Sequence, residues 1–397
     1  MKRVLTGIII IALAALAAAS AATSTPGRSH VTGTLQIGMA ASLEGDYAVF
    51  DVPEIAGMKY AEKKINAQGG LNGIKVHLNI LDTKGQTALA TTVAQQLLDQ
   101  GVRTFVASTS LNAIAAGQLI MKRGGMTTMG YSTEPRVTWQ VGPRAFLSAF
   151  GDNVQAAAMA EYACSKGYKT TYTVLSPSSP YTSAEGMGSY YKQAYARKCG
   201  GKIVGSSTYK IGDQEYTSQV TQIQSFKPKP DVIFTPMFVP DVATFLKQLR
   251  GAGVTIPVLG TDGDGDPTLT KAAGAAANGL TYSDHGVVDP KGDPALVNFL
   301  ADFKKVMGKP ADSPILDTIG RDNVYLLVAA AQKAGTLTDG VKIAQALQHI
   351  SGVQLVQGTM SMNPKTRIPN LPVFVVTIKN GVPTWVKTVR PSWTAAP

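Results

Sequence analysis

Two hydroxyl-rich segments are the first candidates for chemistry in this chain. Residues Ser108–Ser110 end a predicted strand and open a predicted helix, and Tyr131–Pro135 follow the next predicted strand. Hydroxyls together with the N–H groups of a helix start can bind an anion. Because loops after adjacent parallel strands lie side by side, the two segments together favour a site for one small carboxylate. Taken alone, the first segment is more simply an ordinary helix cap.

An acidic, glycine-rich loop, Thr261–Asp266, follows a predicted strand that ends at Gly260. With Asp262 as its first position, an EF-hand loop would need Gly at the sixth position and Glu at the twelfth, where this chain has Pro267 and Ala273, so we exclude calcium. The glycines would let the backbone approach a ligand closely. The Asp262 carboxylate could then pair with an ammonium group, whereas an acidic surface turn is the alternative interpretation.

Four aromatic residues fall in loops after predicted strands, where a core aromatic is less expected. They are Tyr47, Phe50, Tyr181 and Phe238. Aromatic side chains in such positions could wall a ligand pocket, although each one alone is more simply explained by packing.

Motifs of common enzymes are missing from the sequence. The segment Gly186-Met187-Gly188 lacks the third glycine of a dinucleotide fingerprint, because Tyr191 stands there. No Walker A loop, G-x-S-x-G elbow or H-E-x-x-H helix occurs. With four His and two Cys in the chain, a metal centre is not expected either. The sequence therefore favours a binding protein without a cofactor over an enzyme.

The N-terminus predicts export. Residues 1–21 combine a basic start, an apolar run from Val4 to Ala19 and small residues before Ala22, which is the pattern of a cleavable signal peptide. A membrane anchor is the alternative, but the run is shorter than about 20 residues. No Cys near the cleavage region could accept a lipid. We expect a mature protein in the periplasm.

The net charge of +11 raises the question of a nucleic-acid or anionic-lipid partner. The lysines are scattered, however, without basic runs or interleaved aromatics, so a solvated basic surface is the better interpretation and no nucleic acid is expected. Cys164 and Cys199 each lie near the end of a predicted helix and just before a predicted strand. An oxidising compartment favours a disulfide between them over two separate thiols.

Short β-rich runs alternate with helical patterns along the chain, which predicts the α/β class with parallel sheets covered on both faces. The pattern restarts after Phe150, so we expect two lobes, with a ligand in the cleft at the carboxyl ends of their strands. The predicted strands are 35–41, 74–81, 104–107, 127–129, 171–175, 203–206, 232–235 and 258–260, and 373–378 and 384–387 form a hairpin at Asn380-Gly381. The predicted helices are 53–67, 87–100, 112–123, 153–166, 189–197, 216–226, 241–251, 267–273, 294–307, 317–333 and 341–349.

The segment Ile65–Gly73, with the sequence I-N-A-Q-G-G-L-N-G, is similar to the I-N-A-x-G-G-x-N-G turn of the type I periplasmic binding proteins of the branched-chain amino acid (Leu/Ile/Val) binding family. The resemblance runs from Ile37 to about Lys387. It also includes Leu43–Ala48, Ser132–Pro135, Asp231–Phe234 and Gly279-Leu280.

This resemblance implies two doubly wound parallel-sheet lobes joined by three hinge segments, near 147–152, 281–284 and 358–361. Lobe 1 would comprise residues 33–148 and 284–357, lobe 2 residues 149–283 and 358–390, and residues 391–397 a flexible tail. It further implies a monomer that captures an amino acid by hinge closure and delivers it to the permease subunits of an ABC importer.

The resemblance also assigns ligand contacts. Ser110 and Thr133, with backbone at Ser110 and Tyr131, would hold a carboxylate, and Asp262 would pair with an α-ammonium. The aromatic positions of the pocket correspond to Phe50, Tyr181 and Phe238. Two alternatives stay open: a ligand that is an aromatic or other carboxylate without an amine, if Asp262 turns outward, and a sensor that reports to a membrane receptor.

Overall fold

The computed structural model describes residues 31–397 except for the side chain of Ser110. The predicted signal peptide, residues 1–21, lies outside the described residues. Within the described part of the chain, none of the helices has both the length and the apolar character needed to cross a membrane.

The first sheet has five parallel strands in the order β2-β1-β3-β4-β5. Its strands are β1 (Gly33–Ala41), β2 (Ile74–Asp82), β3 (Thr104–Ala107), β4 (Met126–Met129) and β5 (Ala145–Leu147). The helices between them are α1 (Ala48–Ala67), α2 (Ala90–Asp99), α3 (Ser110–Lys122) and α4 (Val137–Val141). A helix therefore connects each strand to the next strand of the same parallel sheet, as the alternating pattern predicted.

The second sheet has seven strands in the order β15-β14-β10-β9-β8-β6-β7. Its strands are β6 (Thr170–Leu175), β7 (Lys202–Thr208), β8 (Val232–Phe234), β9 (Val258–Leu259), β10 (Thr281–Asp284), β14 (Val373–Lys379) and β15 (Val382–Val389). Its helices are α5 (Asp152–Ser165), α6 (Met187–Cys199), α7 (Thr217–Ser225), α8 (Asp241–Gly251) and α9 (Leu269–Ala273). Strands β6 to β10 are parallel, whereas β14 and β15 add an antiparallel hairpin at one edge. The predicted Asn380-Gly381 turn joins that hairpin, with positive φ at both residues.

Three returning helices complete the first lobe: α10 (Pro294–Met307), α11 (Pro314–Ala334) and α12 (Gly340–Gln348). A small antiparallel sheet follows, made of β11 (Val353–Leu355), β12 (Gly358–Met362) and β13 (Pro369–Asn370). Helix α11 packs closely on α1, because Gly57 and Gly320 bring the two backbones together. A Cβ at Gly57 would lie 1.8 Å from the Asp317 carbonyl oxygen.

The family turn at Ile65–Gly73 has a clear physical basis. The Asn66 side chain donates to the Val76 carbonyl over 2.8 Å and accepts from the Val76 N–H over 2.9 Å, so it ties the end of α1 to β2. The chain then reverses through residues in the left-handed region, where glycine is favoured. These residues are Gly69, Gly70, Asn72 and Gly73.

The described chain passes between the two large sheets from β5 to α5, from β10 to α10, and from β13 to β14. The first passage falls within the predicted hinge 147–152, and the second begins where the predicted hinge 281–284 ends, because those four residues form β10. At the third, β12 pairs with β11 and β13 and not with the second sheet, so the chain joins that sheet only at Val373. The predicted lobe boundaries remain a prediction.

The predicted disulfide between Cys164 and Cys199 is present, with a Cα–Cα distance of 5.8 Å. It joins the last turns of α5 and α6. Residues 391–397, predicted to be a flexible tail, lie against the same two helices. Asn153 Nδ2 donates to the Ala395 carbonyl over 2.8 Å, and Arg197 lies over the Trp393 ring at 5.0 Å.

Candidate functional site

A cavity of about 560 Å³ lies between the lobes, at the carboxyl ends of strands from both large sheets. Its walls come from the start of α1, the loops after β4, β6, β8 and β9, the end of β10 and the start of α11. Six predicted site residues line it: Phe50, Tyr131, Thr133, Tyr181, Phe238 and Asp262. Their roles in binding stay predictions, but the structure brings the six side chains together.

Two predicted residues stand apart from this group. Tyr47 precedes α1, where its carbonyl accepts the N–H groups of Phe50 and Asp51, and it is not among the described residues that line the cavity. Ser110 is the first residue of α3, and its side chain lies outside the described part of the structure.

Helix α1 begins at Ala48, five residues before the predicted start at Pro53. Pro53 therefore sits inside the helix, where proline removes one intrahelical hydrogen bond. The earlier start has a consequence for the site, because it places Val49 and Phe50 of the first turn on the cavity wall.

Each lobe contributes one aromatic pair to the cavity. Phe50 stacks on Tyr131 from lobe 1 with ring centroids 5.3 Å apart. From lobe 2, Tyr181 and Phe238 lie 5.5 Å apart with tilted rings. Offset aromatic pairs of this kind form rigid apolar walls. The two pairs can therefore hold an apolar or aromatic part of a ligand between the lobes.

The Asp262 carboxylate is buried and already accepts hydrogen bonds from its neighbours. Its Oδ1 accepts from Gln155 Nε2 at 3.0 Å and from the Tyr181 hydroxyl at 2.7 Å. Its Oδ2 lies 3.1 Å from His285 Nε2. In addition, the Asp262 N–H donates to Gln155 Oε1 at 3.1 Å. The side chain of Asp262 thus forms part of the cavity wall, and both of its oxygens already have polar partners within the protein.

His285 follows β10 directly and is buried, with its ring stacked on Phe150 at a centroid distance of 3.7 Å. Its Nε2 faces Asp262, whereas Nδ1 is buried without a hydrogen-bond partner among the described residues. No pattern in the sequence singled out His285 or Gln155. Gln155 lies in the first turn of α5, and only the fold brings these two residues to Asp262.

Asp284, the last residue of β10, also lines the cavity and was predicted only as part of a hinge. Its Oδ1 accepts the His285 N–H over 2.7 Å. Burial raises the pKa of this carboxyl well above its usual range; the His285 N–H opposes the shift and the nearby Asp262 adds to it. Its position as the last residue of the predicted hinge 281–284 is the signal that could have identified it.

The part of the site predicted to hold a carboxylate is organised differently from the expectation. The Tyr131 N–H, one of the predicted backbone donors, already donates to the Ser108 carbonyl over 2.9 Å. The Thr133 carbonyl accepts the Asp152 N–H over 2.7 Å. Burial raises the pKa of the Asp152 carboxyl well above its usual range, and the Asp262 charge adds to that shift.

The described lining of the cavity carries acidic side chains but no cationic ones. Among the described residues that line it, Asp262, Asp266 and Asp284 are carboxylic, and none is Lys or Arg. In residues 31–397, no group of three or more His, Cys, Asp or Glu side chains is arranged to hold a metal ion. The arrangement is therefore suited to binding an organic molecule through hydroxyl, carboxyl and aromatic groups.

Two α/β lobes around one cleft that is lined by aromatic, hydroxyl and carboxyl groups are typical of two-lobed binding proteins. A family model for the periplasmic binding protein matches residues 34–382. The chain belongs to the periplasmic binding protein family, as the resemblance in sequence implied.

Relatives and solved structures agree with this assignment. The chain is 24% identical over 339 residues to the leucine-, isoleucine-, valine-, threonine- and alanine-binding protein of Pseudomonas aeruginosa, covering 85% of this chain and 88% of that protein. It is similar to the leucine-binding protein LivK of Thermotoga maritima, with a TM-score of 0.75, 24% identity and coverage of 90% and 99%. It is also similar to a solute-binding protein of R. palustris in complex with benzoate, with a TM-score of 0.72, 21% identity and coverage of 91% and 98%.

Proposed function

We propose that this protein is the extracytoplasmic solute-binding component of an ABC importer and that it captures an amino acid in the interlobe cavity. Membership in the periplasmic binding protein family supports solute binding, and the similar solute-binding protein of R. palustris, described as part of an ABC transporter, supports the importer role. The permease subunits would be separate membrane proteins that receive the loaded protein.

The observation that carries the choice of ligand is the charge of the cavity. Among the described residues, the lining has three carboxyl groups and neither Lys nor Arg, so it offers no cationic partner to a ligand whose only charge is negative. A zwitterion brings its own ammonium group, which can pair with an acid of the cavity. Its carboxylate would be left to hydroxyls such as that of Thr133 and to the start of α3.

The aromatic pairs suit the remainder of such a ligand. Phe50 and Tyr131 belong to lobe 1, whereas Tyr181 and Phe238 belong to lobe 2, so closure of the hinge would bring both pairs onto an apolar side chain. Closure also excludes water, which strengthens the charged hydrogen bonds to the ligand.

One observation favours a second candidate, an aromatic carboxylate without an amine. Asp262, the predicted partner of the ammonium, already accepts from Gln155 and Tyr181 and faces His285. A residue compensated in this way does not require a cationic ligand. The similar fold of a protein solved with benzoate is consistent with this candidate.

A ligand screen distinguishes the two candidates. Thermal unfolding of the purified protein is followed with each of the twenty common amino acids and with matched acids that lack the amine. The matched acids include 4-methylpentanoate for leucine and 3-phenylpropanoate for phenylalanine, and benzoate is added as a further aromatic acid. A ligand that binds only the folded state raises the melting temperature. We expect a shift with at least one amino acid and a smaller one with its amine-free match. A shift with the amine-free acids alone would select the second candidate.

The importer role is tested separately in the cell. We expect a strain that lacks this gene to lose uptake of the labelled ligand found in the screen, and a copy of the gene to restore it. Unchanged uptake, together with a lost behavioural or transcriptional response to the ligand, would instead support the sensor alternative.

A further inference from the structure

Two buried carboxyl groups face the interlobe cavity, and their surroundings differ. Asp262 has both oxygens engaged within the protein, by Gln155 and Tyr181 on one side and His285 on the other. Asp284 has only Oδ1 engaged, by the N–H of the next residue, His285. Within residues 31–397, no hydrogen-bond donor reaches Asp284 Oδ2, although the residue is 5% exposed and lines the cavity.

The structure keeps the space beside Asp284 Oδ2 open. A Cβ at Gly265 would lie 2.4 Å from this oxygen, which is far too close for two non-bonded atoms. The backbone of Gly265 has φ −73° and ψ 6°, a conformation that any residue can adopt. Clearance for Asp284, and not the backbone, is therefore the local reason for a glycine at this position.

We propose that Asp284 Oδ2 is the oxygen that receives the ligand's ammonium group, while Asp262 is a fixed part of the wall. The inference rests on the proposed function and deepens it, because it assigns the ammonium contact to a residue of the second hinge. Asp284 Oδ2 accepts no hydrogen bond within residues 31–397, and burial raises the pKa of its carboxyl, so a ligand cation beside it would stabilise the ionised form. An ammonium brings three N–H donors and a positive charge, so it satisfies this oxygen in one step.

The proposal also gives the acid a place in hinge closure. Asp284 ends β10, at the passage from lobe 2 back to lobe 1, and its neighbour His285 stacks on Phe150 of the first passage. A ligand held at Asp284 would therefore lie beside the first and second passages.

The experiment uses the amino acid that gives the largest thermal shift in the screen, together with its matched acid without the amine. Dissociation constants of both are measured by calorimetry for the protein and for Asp284→Asn, Asp262→Asn and Gly265→Ala. Asp312→Asn serves as the control, since it removes the same charge at an exposed position outside the cavity wall.

Asp284→Asn should weaken amino-acid binding about ten- to hundredfold, the range of a charge-assisted hydrogen bond, and leave the matched acid unchanged or bound more tightly. Gly265→Ala should weaken the amino acid as well, because its methyl group displaces the carboxyl. Asp312→Asn should change neither constant by more than about twofold.

Two results would overturn the proposal while leaving the proposed function intact. The first is that Asp284→Asn binds the amino acid as tightly as the parent protein does. The second is that Asp262→Asn, and not Asp284→Asn, abolishes the preference for the amino acid over its matched acid. If no amino acid binds the parent protein at all, the proposed function fails first and the inference fails with it. If Asp284→Asn does not fold, Gly265→Ala provides the same comparison without removing a charge.

Discussion

Burial governs the protonation of several acids at the level of single residues. Asp317 lies in the first turn of α11, buried, with its Oδ2 accepting the Ser313 N–H over 3.0 Å and its Oδ1 without a partner among the described residues. Burial raises the pKa of Asp317 from 3.8 to about 7, and the Ser313 N–H only partly opposes this. Between these values the folded protein holds a proton that the unfolded chain has lost.

The bound proton makes the stability of the folded protein depend on pH. Because the folded state binds more protons, the contribution of Asp317 to the free energy of unfolding decreases as the pH rises from about 4 to about 7, by at most about 1.4 kcal/mol per pH unit. Above pH 7 the contribution is constant. Asp317→Asn should remove this contribution to the slope, because an amide does not titrate. Its oxygen can still accept the Ser313 N–H, so the local structure is kept. Denaturant titrations at several pH values measure the slope.

A slope that is equal in Asp317→Asn and in the parent protein would show that Asp317 is ionised when folded. Asp99→Asn is the control, because Asp99 is exposed, pairs with Arg123 and is not among the groups that shift the pKa of Asp317. Its removal should leave the slope as it is, with other buried acids, such as Glu54, contributing in both proteins.

The sequence could predict which side chains line the cavity only where they follow a strand. Tyr131, Tyr181 and Asp262 lie in such loops, and all three line the cavity. Gln155 lies in a helix and His285 after a hinge strand, so their contacts with Asp262 join residues 107 and 23 positions apart in the chain. Contacts of this range depend on tertiary folding, and nothing in local spacing indicates them.

At the level of helices and strands, close backbone contact between α1 and α11 supports the wall of the cavity. A Cβ at Gly57 would lie 1.8 Å from the Asp317 carbonyl oxygen, and one at Gly320 would lie 1.9 Å from the Glu54 carbonyl oxygen. Side chains of this kind would force the helices apart, and overpacking typically costs about 1–3 kcal/mol.

We therefore expect Gly57→Ala to lower the free energy of unfolding by about 1–3 kcal/mol or more, measured by denaturant titration. Gly251→Ala is the matched control, because Gly251 is also helical and a Cβ added there would have no other atom within 4 Å. That change should be neutral or stabilise by up to about 1 kcal/mol, since alanine favours a helix. Equal effects of both changes would contradict the close contact.

The disulfide between α5 and α6 supports lobe 2 in a similar way. It closes a loop with a sequence separation of 35 residues, which corresponds to a stabilisation of about 4 kcal/mol in the chain-entropy model. The double change Cys164→Ala and Cys199→Ala should lower the stability of lobe 2 by that order. Denaturation followed with and without dithiothreitol measures it.

The reductant provides the internal control for this prediction. It should destabilise the parent protein and leave the double variant unchanged, so that the two proteins become alike under reducing conditions. A parent protein that is insensitive to reduction would show that α5 and α6 are held by packing alone.

Most strands and long helices were predictable because hydrophobic periodicity is local. The ranges of β3, α8 and α10 agree with the patterns at both ends. The short elements α4 and β5 were not predicted, since five and three residues are too few for a period to be recognised. The small sheet of β11 to β13 was missed because its strands pair only with each other at the edge of lobe 1.

At the level of the whole molecule, two sheets with separate strand orders share three chain passages and one cavity. The two-lobed arrangement was predictable from the restart of the alternating pattern after Phe150. The place of the third passage was not, because β12 has the same extended pattern whichever sheet it joins. Its partners are decided by tertiary contacts, among them the hydrogen bond from the Met362 N–H to the Ile350 carbonyl.

The three passages predict that ligand binding changes the shape of the molecule. Since Phe50 and Tyr131 belong to one lobe and Tyr181 and Phe238 to the other, a ligand that contacts both pairs gains most when the lobes are close. Such a ligand shifts an existing equilibrium towards the closed state by as much as its affinities for the two states differ. Small-angle X-ray scattering should therefore show a smaller radius of gyration at saturating ligand.

The appropriate control is Asp284→Asn at the same amino-acid concentration, where the proposed contact is weakened and less of the protein should be closed. Raising the concentration until this variant is saturated separates affinity from closure. If the variant then contracts as the parent protein does, Asp284 contributes to binding alone. If the parent protein keeps its radius of gyration when saturated, the cavity is already formed without ligand and the three passages act as fixed connections instead of hinges.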